Sequence, residues 1–308
     1  MELETIAVVG PTASGKTRRA VEIAKAFNGE IISADSRQLY RGMTIGTGKD
    51  LDEYGDVPYH LIDVADAGER WNLHRYLRSF RQSFGDIKGR GRLPVVCGGT
   101  GMYVEHALNG VVLPEVPINP QLRDELSDKP LDELERILST YRKLHNTTDT
   151  DTAKRAIRAI EIADYYSCHP EEAAMADKEN SRPLDAIVIG IDIPREKRRE
   201  RITERLDARI EEGMIGEIEM LLAGGLLPED LIYYGLEYKF VTLYVIGKMS
   251  LQEMKEGLET AIHQFAKRQM TWFRGMEKRG IHIDWLPYDL PQPEFIGQVK
   301  RLVEDRGN

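Results

Sequence analysis

Cysteine is almost absent. The 308-residue chain carries two, Cys97 and Cys168, too few for a disulfide framework, and no paired Cys/His spacing suggests structural zinc. Long apolar runs are missing as well. The longest are strand-length stretches such as residues 186–191, and Met1-Glu2-Leu3-Glu4 offers no basic leader. Neither a membrane span nor a signal peptide is therefore expected, which leaves a cytoplasmic protein with no membrane partner. Positive charge is not in excess, the formal net charge being −9. That argues against a protein coating nucleic acid with a uniformly basic surface, while allowing a local basic face on an acidic body. No internal repeat or low-complexity tract occurs. What is present, 41% hydrophobic and 30% charged residues, is the composition of a folded chain of one large or two ordinary domains.

Residues 5–9 form a β-branched run ending at Gly10, and after Lys16 the apolar residues Ala20, Ile23, Ala24 and Phe27 recur at helical spacing. This reads as strand, loop, helix. Asn28-Gly29 ends that helix, residues 30–33 form a second strand, and residues 93–97 a third that runs into Gly98-Gly99-Thr100-Gly101 and a helix over 102–108. Residues 186–193 supply a later strand. Strands alternating with helices predict an α/β fold, a parallel sheet covered on both faces. Between them Pro114, Pro117 and Pro120 punctuate a linker, residues 121–167 show helical periodicity only, and polar residues 169–185 lead back to the sheet. The expectation is a core of residues 1–120 and 181–308 with an all-helical insertion at 121–180; the alternative is a set of helices packed on a single core. In the helical final third, one helix opens at Ser250 with Glu253 as a capping box and carries Met254, Leu258, Ala261, Ile262 and Phe265 on one face until Gly275.

Gly10-Pro11-Thr12-Ala13-Ser14-Gly15-Lys16-Thr17 fits G-x-x-x-x-G-K-[ST] and sits after a strand and before a helix, where a phosphate loop belongs. Glycines let successive N–H groups and the helix N-terminus meet phosphate oxygens, Lys16 adds a cation, and Thr17 can hold Mg²⁺. The loop specifies a diphosphate or triphosphate but not its fate. Phosphate transfer usually needs a strand-terminal Asp for the metal. The 93–97 strand ends in Gly-Gly-Thr, Asp63 is a weak substitute, and no guanine-reading Asn-Lys-x-Asp occurs, so an ordinary ATPase or GTPase is disfavoured. Asp35 and Thr100 follow strands expected beside the first, which aims them at the crevice of the sheet's carboxyl edge. There a carboxylate can accept a proton and a hydroxyl can orient a nucleophile; the bland reading of Asp35 is a turn or helix cap. Among Lys197, Arg198, Arg199, Arg201 and Arg205, Arg201 and Arg205 share a helical face. The run Lys267-Arg268-Gln269-Met270-Thr271-Trp272-Phe273-Arg274 interleaves cations with aromatics, suited to phosphates and stacked bases. Each stretch could equally be a solvated helix face, Glu196, Glu200 and Glu204 being at hand to neutralise the first.

Taken together these motifs resemble one family. Gly10 to Thr17, the Ile-Ile-Ser-Ala-Asp-Ser-Arg-Gln of 31–38 with Tyr40-Arg41-Gly42-Met43 and Ile45-Gly46-Thr47, the Gly-Gly-Thr-Gly of 98–101, Arg158-Ala-Ile-Glu161 and the 266–274 run occur in the order found in tRNA dimethylallyltransferases of bacterial type. The resemblance covers nearly the whole chain. It implies a phosphate-loop fold and prenyl transfer from dimethylallyl diphosphate to N6 of the adenosine just 3′ of the anticodon, with Mg²⁺. It further implies that Asp35 is the general base and Thr100 its partner in orienting the amine. Arg205, Lys16, Thr17 and the loop from Gly10 through Pro11, Thr12, Ala13, Ser14 and Gly15 would hold the diphosphate. Contacts to the tRNA anticodon stem-loop would come from Ser36, Arg37, Gln38, Arg158, Lys267, Arg268, Gln269, Trp272 and Arg274, together with the helical insertion, in a chain expected to act as a monomer.

The segment 231–239 and the pair Asp151-Thr152 depart from the family's common pattern, and no Cys/His finger of the eukaryotic kind is present. Competing readings are a prenyltransferase for free adenine nucleotides, a small-molecule or nucleotide kinase, and a nucleotide-gated RNA-binding protein in which Asp35 is structural.

Overall fold

The computed structural model describes residues 3–113, 115–141, 150–173 and 182–307. Pro114 and parts of the expected insertion, residues 142–149 and 174–181, lie outside that range. The chain divides into two compact units, one of residues 1–110 and 183–308, the other of residues 111–182.

The first unit is built on β1 (Thr5–Val9), α1 (Lys16–Ala26), β2 (Gly29–Ser33), β3 (Tyr59–His60), α2 (Leu73–Gly89), β4 (Leu93–Gly98) and α3 (Gly101–Leu108). The second holds α4 (Pro120–Ser127), α5 (Leu131–Tyr141) and α6 (Ala153–Cys168). The chain then returns to the first with β5 (Ala186–Asp192), α7 (Arg195–Glu211), α8 (Met214–Ala223), α9 (Pro228–Tyr233), α10 (Leu236–Val245), α11 (Leu251–Lys278), β6 (Asp284–Pro287) and α12 (Gln292–Gly307). All strand pairs are parallel, in the order β3-β2-β4-β1-β5-β6. β2 thus pairs with β4 and not with β1, so only one of the two strands expected beside the first is its neighbour. A parallel edge still sends the C-terminal ends of β1, β2, β4 and β5 to the same side.

Burial follows from alternation along the strands. Ile6, Val8, Ile31, Val95, Cys97, Ile187 and Ile189 form one core with Ala20, Ile23 and Ala24 of α1 and Phe295 and Val299 of α12. Beyond β2 and β4, Tyr76 of α2 stacks on Tyr103 of α3 at 3.8 Å between ring centroids, and the Tyr76 hydroxyl donates to the Ser33 carbonyl. Strands β3 and β6 lack a sequence signal. β3 is two residues long, and β6, at the opposite edge, buries only Leu286 of its four residues.

The capping box at Ser250 and Glu253 forms as the sequence predicts, but Gly275 does not end the helix; α11 continues to Lys278. The Arg279 guanidinium lies over Gly275, 2.9 Å from where a Cβ would stand.

In the second unit Leu126, Leu134, Leu138, Ala156, Ala159 and Ile160 make a separate small core. The Glu161 carboxylate receives Arg123, Arg158 and the Asn119 N–H. Burial alone would raise its pKa, and those donors hold it below the usual carboxylate range. Among the described residues no helix is long and apolar enough to cross a membrane.

The contact that registers β4 against the end of β2 is backbone on backbone. A Cβ on Gly98 would come 2.1 Å from the Ala34 carbonyl oxygen, a clash that no rotamer relieves. Gly98→Ala is therefore expected to lower the stability of the protein by about 1–3 kcal/mol or more, read by urea unfolding. An unchanged midpoint would mean that the β2 end is not fixed by this contact.

Candidate active site

The loop from Gly10 to Gly15 joins the end of β1 to α1. Its wrapped shape places Ala13 (φ 61°) and Gly15 (φ 83°) in the left-handed region. Gly15 supplies no side-chain cap to α1, and the first turn holds no acid. The helix amides and their partial positive charge are thereby left for an anion. A Cβ on Gly10 would meet Ser14 Oγ at 2.7 Å, and that buried Oγ has no hydrogen-bond partner among the described residues. The Lys16 side chain lies at the base of the cleft; burial pushes its pKa below the ordinary lysine value, with Asp35 pulling the other way. Thr17 hydrogen-bonds the Cys97 thiol, whose pKa burial pushes up to about 12.

The facing wall comes from the ends of β2 and β4. Asp35 Oδ1 accepts the Arg37 N–H at 2.9 Å, and Thr100 Oγ1 accepts the Ser36 N–H at 3.0 Å and donates to Ser36 Oγ at 3.3 Å. Asp35 is thus a turn residue and a cleft residue at once. Gln269, buried on α11, ties the two walls together. Its Oε1 accepts the Thr12 N–H at 2.8 Å and its Nε2 donates to the Gly99 carbonyl at 2.9 Å.

The third wall is α7. Arg201, Arg205 and Arg209 recur every four residues and all three line the cleft. A Cβ on Gly15 would stand 3.8 Å from Arg201 Nη1, which puts that guanidinium over the phosphate loop. Arg205 is ion-paired with Asp50. Arg209 lies 3.8 Å from Glu237, and burial, with Arg205 nearby, lowers its pKa. Burial raises that of Glu237. The resulting cleft has a volume of about 760 Å³. It is rimmed by Met102, Phe265 and Trp272, each more than a third exposed. Arg268 lies 5.8 Å from the Phe265 ring centroid, and Gly101 is so close to Trp272 that a Cβ would reach its ring at 2.2 Å.

Lys16, Thr17, Asp35, Ser36, Arg37, Gln38, Thr100, Arg205, Arg268, Gln269 and Trp272 thus meet around one cavity. Others are engaged elsewhere. Gln38 lines the cleft, but Ser33 Oγ donates to its Oε1 and its Nε2 donates to the Gly48 carbonyl, so its amide is a brace. Gln269 is likewise committed. Lys267 and Arg274 are exposed on α11 outside the cavity lining. Arg158 belongs to the second unit, where it binds Glu161 and the Val116 carbonyl. Asp63, weighed as a metal ligand, instead pairs with the buried Lys49.

Sequence reasoning missed Arg209, Asp50 and Met102, and left Arg201 without a role. The four-residue spacing that linked Arg201 to Arg205 extends to Arg209 and was the available signal. Phe265, grouped by spacing on one helix face with Met254, Leu258, Ala261 and Ile262, stands 38% exposed at the cleft rim, because α11 turns its buried stripe through Leu258, Ile262 and Ala266.

Comparison with known proteins gives a consistent neighbourhood. A family model described as IPP transferase matches residues 38–276, and one described as isopentenyl transferase matches residues 3–54. The chain is 55% identical over 309 aligned positions to tRNA dimethylallyltransferase 2 of Bacteroides fragilis, covering 99% of each protein. It is 53% identical to tRNA dimethylallyltransferase 1 of Parabacteroides distasonis, covering 98% of each. The crystal structure of the full-length tRNA isopentenylpyrophosphate transferase from Bacillus halodurans is similar at a TM-score of 0.72 and 30% identity, over 99% of this chain and 98% of that one. A eukaryotic dimethylallyltransferase acting on tRNA shares the fold at a TM-score of 0.77 and 24% identity, over 93% of this chain and 74% of that one.

Removing the Gln269 amide would leave the Thr12 N–H and the Gly99 carbonyl without their partner. Gln269→Ala is expected to cost about 1–3 kcal/mol of unfolding free energy and to weaken binding of inorganic diphosphate. Thermal unfolding with and without diphosphate measures both; a variant matching the unaltered protein in each would show the brace to be dispensable.

Proposed function

This chain belongs to the tRNA dimethylallyltransferase family, and we propose that it transfers the dimethylallyl group of dimethylallyl diphosphate to N6 of the adenosine 3′-adjacent to the anticodon in tRNA, releasing diphosphate. The observation that carries the reading is the convergence of the phosphate loop, Asp35 and Thr100 on one cleft. Diphosphate binds against the loop amides, Lys16 and Arg205, with Arg201 above the loop. The adenine amine, held by Thr100 Oγ1, attacks the allylic carbon as the carbon–oxygen bond to diphosphate breaks. Asp35 takes the proton that the amine loses. An exocyclic amine is a weak nucleophile and diphosphate gathers charge as it leaves, so proton removal and fixed cations act on the two ends of one step.

Mg²⁺ suits this cleft, where the Thr17 hydroxyl would hold it among diphosphate oxygens with Asp50 and Glu53 on the lining nearby. When bound it neutralises charge on the leaving group. The orphaned Ser14 Oγ is a further hydroxyl within the loop. RNA recognition falls to the exposed rim: Phe265 and Trp272 present faces on which unpaired bases stack, while Arg37, Arg268, Lys267 and Arg274 meet phosphates. That rim favours tRNA over a free nucleotide, and an anticodon loop yields its base more cheaply than a duplex. The helical second unit is the candidate clamp for the anticodon stem. The protein acts as a cytoplasmic monomer in this reading.

The test supplies unmodified tRNA with labelled dimethylallyl diphosphate and, in parallel, γ-labelled ATP. The expected product is an adenosine heavier by one isoprene unit, with ATP untouched; label reaching an acceptor from ATP alone would overturn the assignment in favour of a kinase. Asp35→Asn is expected to hold tRNA affinity within a few-fold and to lower single-turnover prenyl transfer by about 100-fold or more. Near-normal transfer would return Asp35 to a turn residue.

Neutralising Lys267, Arg268 and Arg274 together is expected to weaken tRNA binding and to reduce the slope of log affinity against log salt by roughly two to three. An unchanged slope would make the stretch a solvated helix face.

A further inference from the structure

The segment of residues 44–50 lends Gly46, Thr47, Gly48 and Asp50 to the cleft wall and touches two of the arginines of α7. The Gly48 α-carbon lies against them so closely that a Cβ would come 1.6 Å from Arg209 Nη2 and 2.8 Å from Arg205 Nη2. Two residues on, Asp50 forms the ion pair with Arg205. Where this backbone runs therefore decides where those guanidiniums rest.

The backbone is held from a distance. Glu217, on α8 and 7% exposed, accepts the Thr44 and Ile45 N–H groups on Oε2, both at 2.8 Å, and the Gly46 N–H on Oε1 at 3.1 Å. The Tyr238 hydroxyl donates to Oε1 at 2.6 Å, and the Tyr238 ring packs on Gly46, where a Cβ would meet it at 2.8 Å. Three successive amides converging on a carboxylate form an anion-binding nest, here occupied from within the protein. Burying a carboxylate costs several kcal/mol unless its hydrogen-bonding capacity is filled; four donors fill this one. Lys49, fully buried, closes the far end through the Tyr40 carbonyl and Asp63. Glu217 itself does not line the cleft.

We propose that Glu217 is a positioning residue for prenyl transfer, fixing residues 44–50 and through them the Arg205 guanidinium that receives the diphosphate. The proposal rests on the dimethylallyltransferase reading of the same cleft. A carboxylate can accept from all three amides, whereas an amide side chain turns one NH₂ group toward a donor. Glu217→Gln thus keeps the size and loses the nest, and misplacement by about 1 Å at a reacting centre costs up to about 100-fold in rate.

The experiment is a double-mutant cycle read in two assays, single-turnover prenyl transfer and binding of inorganic diphosphate by calorimetry. Glu217→Gln is expected to lower transfer about 10- to 100-fold and to weaken diphosphate binding about 10-fold, with tRNA affinity within twofold. In an Arg205→Ala background the same change is expected to cost less than about threefold, because the group it positions is gone. Full additivity in the two backgrounds, or unaltered transfer and diphosphate binding by Glu217→Gln, would overturn the proposal. Should Glu217→Gln not fold, Glu217→Asp, which keeps the charge on a shorter arm, is read in the same cycle against the same criteria. Absence of prenyl transfer by the unaltered protein refutes the functional reading, whereas the diphosphate arm of the cycle still reports on Glu217.

Discussion

Amides left open for an anion cannot be spent within the protein, so the segment between β1 and α1 keeps its shape with few hydrogen bonds of its own, one of them from the Ser14 N–H to the Pro11 carbonyl at 3.3 Å. Two residues in the left-handed region, Ala13 and Gly15, open the amides toward the cleft, and at Ala13 that conformation costs of order 1–3 kcal/mol. The surroundings supply the constraint. Gln269 takes the Thr12 amide, the Ser14 amide turns back to the Pro11 carbonyl, and Gly10 leaves room for the Ser14 side chain. The price is a loop that is stable only with α11 and the sheet in place around it.

The parallel sheet turns this local device into a site. Because β1, β2, β4 and β5 all point the same way, the segments that leave them carry the phosphate loop, Asp35, Thr100 and α7 to a common edge. Gly98 lets the ends of β2 and β4 approach closely enough for the Ala34 carbonyl to accept the Thr100 N–H at 3.2 Å, which sets Asp35 and Thr100 side by side. α11 then crosses that edge, contributing Gln269 inside and Trp272 at the rim. One long helix fixes both the leaving-group cradle and a candidate stacking surface, so their spacing is set by a rigid element.

Legibility in the sequence tracked how local the physics was. β1, β2, β4 and β5 announce themselves as apolar runs because both their faces are buried. β3 and β6 do not, since edge strands of two and four residues need only backbone pairing. The capping box of α11 is visible in two residues, whereas the passage of that helix through Gly275 to Lys278 is not, because a glycine within a helix and one that ends it look alike in sequence. The phosphate loop, Asp35 and Thr100 were legible as motifs. The wall at 44–50 was not, because its contribution is made by backbone amides, and its anchor, Glu217, lies more than 170 positions away in sequence from the amides it holds. Nor does a sequence distinguish a glutamine that reads a ligand from one that braces a loop: Gln38 and Gln269 both turned out to have their amides committed.

The electrostatics of the cleft also account for how a chain of net charge −9 can be built to receive polyanions. Lys16, Arg201, Arg205 and Arg209 all line one cleft, and four cations gathered there without counter-charge would repel one another and favour deprotonation of the one that can lose its charge, Lys16. Acids stand beside three of the four: Asp35 acts on Lys16, Asp50 pairs with Arg205, and Glu237 stands beside Arg209. Counter-charge from these carboxylates offsets the repulsion among the cations, and that of Asp35 favours the charged form of Lys16. In the proposed reaction a diphosphate would not have to neutralise a bare cluster; it would enter a partly balanced one, take over part of the counter-charge and add to the forces holding the Lys16 proton. The acids that look, in composition, like an argument against anion binding are what allow the cations to be gathered so tightly.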